Sequence, residues 1–151
     1  MNYQLGINVI ETDGKAKIGY FAQDARDLHP EATVLTEIME LRPAWTEAPA
    51  RSWAARFRFT GDDVYKRVGS LSGGEQSRLR LCKLILKAPN VLILDEPTNH
   101  LDIPAREALE AALDQFTGTI VAVSHDRYFL DRIEPPRTYR TQATGTPEAR
   151  A

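Results

Sequence analysis

The chain has 151 residues, 42% of them hydrophobic and 26% charged, with a formal net charge of −2. That is enough for one domain with a real core, and too near neutrality for the whole-chain basic footprint of a nucleic-acid binder. A single cysteine, Cys82, excludes an internal disulfide and fits a reducing compartment. No apolar run approaches membrane-spanning length and the N-terminus carries no basic-then-apolar signal pattern, so the cytoplasm is the expected location.

Residues 1–21 predict strands: Ile7, Val9, Ile18, Tyr20 and Phe21 are β-formers, and Asp13-Gly14 is a good two-residue hairpin turn. Gln23, just past the second strand, reads by itself as a surface residue. Residues 24–70 predict a helical insert. Thr33 caps a helix that runs through Leu41, with Val34, Leu35, Ile38 and Leu41 on one face, and Pro43 stops it. A second helix is expected over about 49–59, pairing Trp53 with Phe57 at i,i+4 for packing. Gly61-Asp62-Asp63 closes it and starts a turn, and His29, beside Pro30, is a loop residue.

Residues 71–87 open with Ser72-Gly73-Gly74-Glu75, which has the S-x-x-E form of a capping box. Its two glycines leave backbone N–H groups uncovered at a helix N-terminus, a place suited to an anion. The helix predicted after it shows Leu79, Cys82, Ile85 and Leu86 as a core stripe, with Arg78, Arg80, Lys83 and Lys87 solvated. Cys82 is a small core residue in this pattern.

Val91, Leu92, Ile93 and Leu94, between Pro89-Asn90 and Pro97, predict a strand buried on both faces. It runs into Asp95 and Glu96, at the carboxyl end where open α/β sheets bind ligands. There Asp95 is placed to hold a Mg²⁺ and Glu96 to orient or deprotonate a water; the plainer alternative is that two acids end a strand in solvent. Asp102 then caps a helix with Pro104 in its first turn, Leu109, Ala112, Leu113 and Phe116 line its buried face, and Gly118 ends it. The next strand, residues 119–123, should run parallel to the first, which brings Ser124-His125 to the same edge as Asp95-Glu96. A histidine there can reach a phosphate. From Glu134 the Pro-, Thr-, Ala- and Arg-rich sequence has no periodicity and predicts a disordered or aberrant tail over 134–151.

LSGGEQ at 71–76, VLILDEPTNHLD at 91–102 and VSHDRYFLD at 123–131 together resemble the ATP-binding cassette (ABC) family in order and spacing. Asn99-His100 after DEPT, and Asp126-Arg127 after His125, are most similar to its F subfamily, whose members carry paired cassettes and act on ribosomes. The resemblance covers about residues 17–133. It implies an α/β fold, a partial P-loop NTPase cassette with a parallel sheet core and a helical subdomain, and it implies ATP and Mg²⁺ as ligands. It implies that Gln23 touches the Mg²⁺ site with Asp95, that Glu96 is the base, and that His125 is the switch histidine. Ser72, Gly73, Gly74 and Glu75 would face the nucleotide of an opposite cassette; His100 would meet that cassette without chemistry.

The phosphate loop such proteins need, G-x-x-x-x-G-K-S/T, does not occur in the 151 residues. The only Gly-Lys, Gly14-Lys15, is followed by Ala16 and sits in the hairpin turn. The adenine-stacking aromatic would lie before Met1. The sequence therefore predicts a cassette's C-terminal half (residues 1–133, with 24–70 as helical insert and 71–133 as signature, acidic strand and switch), inactive alone and poorly soluble. Two further readings stand beside it: a non-catalytic fragment that pairs with a full cassette, and the ATPase subunit of a membrane transporter. Asn99-His100 and Asp126-Arg127 argue against the last.

Overall fold

The computed structural model describes residues 10–12, 15–22, 27–133, 138–141 and 147–150. Strand β1 (Ile10–Thr12) pairs antiparallel with β2 (Ala16–Phe21), and β2 pairs parallel with β3 (Val91–Asp95), which pairs parallel with β4 (Thr119–Val123). The sheet order is β1-β2-β3-β4, so the fold is mixed α/β with three parallel strands. The expected turn at Asp13-Gly14 lies outside the described residues.

The alternation of side chains along each strand separates two faces. Phe21, Leu92 and Leu94 point to the face covered by helices and are buried. Val91 and Ile93 point to the other and are only half-buried. The prediction that β3 is buried on both faces is thereby corrected: both faces are apolar, but the described residues cover only one. On β4 the contrast is stronger, for Val121 and Val123 are 48% and 56% exposed.

The cover is supplied mainly by α3 (Gly73–Leu86) and α4 (Ile103–Asp114). Leu79, Leu84, Leu109 and Leu113 join Leu92 and Leu94 in one core. Asp102 caps α4 by accepting from Ala105 N at 2.8 Å, with Pro104 in the first turn as predicted. Gly118 does not end this helix, which finishes at Asp114; a Cβ there would stand 2.3 Å from the Asn90 carbonyl, so the glycine serves a close backbone crossing.

Before α3 the chain makes α1 (Val34–Leu41) and α2 (Glu47–Ala55). Thr33 caps α1 as predicted, its hydroxyl accepting from Thr36 N at 3.1 Å. Helix α2 starts and stops earlier than the 49–59 expected. Pro49 is tolerated in a first turn, and Arg58, at φ +62°, turns the chain so that Phe57 and Phe59 are both buried. Trp53 meets Phe57 at 5.8 Å between ring centroids and Trp45 at 6.3 Å. Residues 61–65 form a capped 3-10 turn rather than a simple helix end.

Helix α3 runs between this helical layer and the sheet, so it is enclosed over more of its circumference than a surface stripe allows. Arg78 and Lys83, predicted to be solvated, are buried. Arg78 lies over the Phe59 ring, 5.3 Å from its centroid. Lys83 forms an ion pair with Glu37 of α1, whose side chain is fully enclosed, and donates to the Asp27 carbonyl at 3.1 Å. Glu37 also accepts from His29 N at 2.7 Å. Burial alone would push the Glu37 carboxyl up, but the Lys83 ammonium and the His29 N–H together hold it below the ordinary carboxylate range. Cys82 is enclosed, and burial pushes its thiol far above the usual range, so it is core and not a nucleophile.

Helix α5 (Arg127–Arg132) follows β4 and buries Phe129. Beyond it, β5 (Thr138–Thr141) pairs antiparallel with β6 (Pro147–Arg150), where the sequence predicts no regular element. Thr-Tyr-Arg-Thr is a β-forming run, and Pro147 opens its strand, where a missing donor is tolerated.

Candidate functional site

Strand β3 delivers Asp95 as its last residue, exposed at the carboxyl end of the sheet. The chain then leaves the sheet abruptly: Glu96 has φ +44°, a left-handed conformation that a residue with a side chain adopts only under constraint. Its N–H is held by the Val123 carbonyl of β4 at 2.8 Å. That pairing carries the β3–β4 register one step beyond Asp95, and sends the two acidic side chains in different directions.

Asp95 Oδ2 accepts from the Tyr20 hydroxyl of β2 at 3.0 Å. Partial burial, and then this bond and the neighbouring negative charge, push the Tyr20 phenol above its ordinary range. Glu96 turns instead toward the loop after β4. One of its oxygens accepts from His125 N at 3.3 Å and the other is bonded to His125 Nδ1. The imidazole is 97% exposed while the Glu96 side chain is 24% exposed, so the histidine covers the acid from the solvent side. Ser124 Oγ accepts from Asp126 N at 3.0 Å, which tightens the turn that aims His125. Asp126 in turn caps α5 through Phe129 N and pairs with Arg106 of α4 at 2.7 Å. The Phe129 N–H, followed by Arg106, holds the Asp126 carboxyl low.

The turn that opens α3 has the capping box its sequence predicts. Ser72 Oγ accepts from Glu75 N at 3.1 Å, and Glu75 accepts from Ser72 N at 2.8 Å. The Ser72 N–H, with Lys66 at 3.3 Å, holds the Glu75 carboxyl below its ordinary range. A Cβ on Gly73 would meet open space, but one on Gly74 would stand 2.0 Å from Asp102 Oδ2. The two glycines thus have different reasons: Gly73 leaves backbone accessible, and Gly74 makes room for the carboxylate that caps α4.

The sheet edge therefore brings Asp95, Glu96 and His125 together. The Ser72–Gly73–Gly74–Glu75 turn is joined to the far end of the same loop through Asp102, and among the described residues it makes no hydrogen bond to the three edge residues. Gln23 lies outside the described residues. His100, at φ +56°, is exposed in the loop between. Tyr20 and the Gly74–Asp102 contact were not read from the sequence. The hydroxyl's reach depends on the β2–β3 register, Tyr20 opposite Ile93, and no spacing along the chain announces it.

Of the three edge residues, Asp95 carries the kind of hard oxygen donor that a divalent cation takes. Asp95 offers carboxylate oxygen, one atom held by Tyr20 and the other bonded by no described residue. On the covered side of the edge, Phe21, Ala22, Ser77, Arg80, Glu96, Pro97, Asn99 and Leu101 line a small pocket against α3.

Residues 6–99 match the family described as ABC transporter. The Bacillus subtilis protein YdiF is 48% identical over 124 residues, covering 82% of this chain and 19% of YdiF. ABC transporter F family member 5 of Arabidopsis thaliana is 44% identical over 76% of this chain and 17% of its own. Energy-dependent translational throttle protein EttA of Escherichia coli K12 is 57% identical over 58% of this chain and 16% of its own. Among solved structures, the RNase-L Inhibitor (TM-score 0.64, 21% identity) aligns with 93% of this chain and 28% of its own. The archaeal ribosome recycling factor aABCE1, in complex with the ribosomal stalk protein aP1, aligns at TM-score 0.65 and 22% identity over the same shares. The chain spans less than a fifth of the length of these sequence relatives. It belongs to the ABC transporter family, as a stretch of an ATP-binding cassette of F type.

Proposed function

We propose that this chain is the water-activating portion of an F-type cassette, competent in ATP hydrolysis only when another segment grips the nucleotide. The observation that carries the reading is the convergence of Asp95, Glu96 and His125 at one sheet edge, with the histidine bonded to Glu96. Asp95, together with Gln23, holds the Mg²⁺, which when bound neutralises charge on the phosphate oxygens. Glu96 orients and deprotonates the attacking water. His125, already seated on Glu96, carries one ring nitrogen toward solvent, where it donates to the terminal phosphate. Ser72, Gly73, Gly74 and Glu75 present the N-terminus of α3 to a phosphate held by a second cassette.

Phosphoryl transfer proceeds by positioning and electrostatics, and the 151 residues contain no G-x-x-x-x-G-K-S/T run to position the phosphates. The chain alone accordingly neither binds ATP tightly nor turns it over. Its partners are a second cassette and, through the likeness to EttA, a translational throttle by name, the ribosome. It works in the cytoplasm; no helix among the described residues is long and apolar enough to cross a membrane. Residues 1–133 form the functional unit, with 24–70 as its helical insert.

An ATPase assay on the purified chain, with Glu96→Gln as control, tests this. The expected result is no Glu96-dependent turnover alone, and turnover on co-expression with a segment that bears the missing loop. Glu96-dependent turnover by the chain alone would overturn it. The bare apolar face of the sheet favours a second reading, a non-catalytic module that binds a full cassette. Turnover that Glu96→Gln leaves intact in the reconstituted pair would select that reading.

A further inference from the structure

Tyr20, Ile93 and Val121 stand in register across β2, β3 and β4, and Asp95 follows Ile93 by two residues on the same face. The tyrosine ring spans that step, so its hydroxyl meets Asp95 Oδ2 at 3.0 Å. Asp95 is exposed at the end of its strand, and among the described residues no other group bonds its carboxylate. The hydroxyl is therefore what sets the carboxylate's rotation. It occupies one oxygen and leaves the other without a bond to any described residue, at the sheet edge that also carries Glu96 and His125.

We propose that Tyr20 is a positioning residue for the metal site: its hydroxyl pins one oxygen of Asp95 so that the other is presented to a divalent cation. The inference rests on the reading of Asp95 as the Mg²⁺ ligand and names the group that orients it. A carboxylate swinging freely in solvent must be ordered when a cation binds, whereas one already fixed by a donor is not. Ring and hydroxyl are separable. Tyr20 is half-buried, and phenylalanine keeps its ring while removing only the hydroxyl.

The test uses the whole 151-residue chain with Mn²⁺ as the probe, read by water-proton relaxation enhancement, in wild type, Tyr20→Phe, Asp95→Asn and the double variant. Thermal melts check that each remains folded. Asp95→Asn is expected to abolish the site. Tyr20→Phe is expected to weaken Mn²⁺ binding about tenfold, the low end for groups that support a metal ligand, at an unchanged melting midpoint. The double variant should match Asp95→Asn. Wild-type Mn²⁺ affinity in Tyr20→Phe, alongside loss in Asp95→Asn, would overturn the role of the hydroxyl alone. Wild-type affinity in Asp95→Asn would overturn the reading of Asp95, and with it this inference.

Discussion

Along β3 the side chains alternate between two surroundings. Leu92 and Leu94 are fully enclosed by the helical layer, whereas Val91 and Ile93, one step away on the same strand, are half-covered. Across from them on β4, Val121 and Val123 are exposed. A strand apolar on both faces belongs to a sheet layered on both sides, and the described residues supply one layer. The covered face has its own core, caps and buried ion pair and should hold stability by itself. The bare face, together with the edge of β4 that no described strand pairs, is the surface a further segment would cover.

The sharpest way to break this contrast is within the covered layer. Lys83→Met leaves Glu37 buried without its cation and should cost about 3–5 kcal/mol, read as a lower urea midpoint. Replacing both, Glu37→Gln with Lys83→Met, should recover much of that loss. Leu94→Ala opens a cavity on the covered face and should cost about 2–5 kcal/mol, while Val121→Thr on the bare face should change stability by about 0.5 kcal/mol or less. Equal costs at the two positions would show that the faces are equally packed.

Acid sharpens the comparison further. Glu37 is held below the ordinary carboxylate range in the folded chain, so its pairing contributes fully above the unfolded value, near pH 4.5. The contribution is lost as pH falls through the depressed folded value. Urea midpoints measured downward from pH 6 should therefore drop in wild type. In Lys83→Met that drop should shrink, because Glu37 keeps only its hydrogen bonds from His29 and burial, no longer offset by the ammonium, works against its charged form.

Just before α4, Asp102→Ala removes that helix's cap and should cost about 1 kcal/mol. Gly74→Ala should be worse than Gly73→Ala, since only the former meets the Asp102 carboxylate; equal effects would remove that packing reason for the glycine. On the bare face the double variant Val121→Thr, Val123→Thr should also leave stability nearly unchanged. Its gain should appear instead as a larger soluble fraction, because the run Thr-Ile-Val-Ala-Val, with Val121 and Val123 exposed, carries no charge or proline.

The elements nearest the site are legible from residue order. Four apolar residues before Asp95, a cap at Asp102 and a second apolar run at 119–123 predict β3, α4 and β4 with their parallel pairing. That pairing alone places His125 beside Glu96. What is not legible depends on partners distant in sequence. Lys83 looks solvated until Glu37, on another helix, is known to face it. Tyr20 looks like an ordinary strand residue until the β2–β3 register carries its hydroxyl to Asp95. The start of α2 shifts because Pro49 is acceptable in a first turn, and its end shifts because Arg58 takes a left-handed conformation that no local pattern signals.

Binding of ATP to the purified 151-residue chain, with and without Mg²⁺ and followed by calorimetry, tests most directly whether this cassette stretch activates water but does not grip its nucleotide. We expect no Mg²⁺-dependent binding in the micromolar range until a segment carrying the phosphate loop is added. Tight Mg²⁺-dependent binding by the chain alone would contradict it.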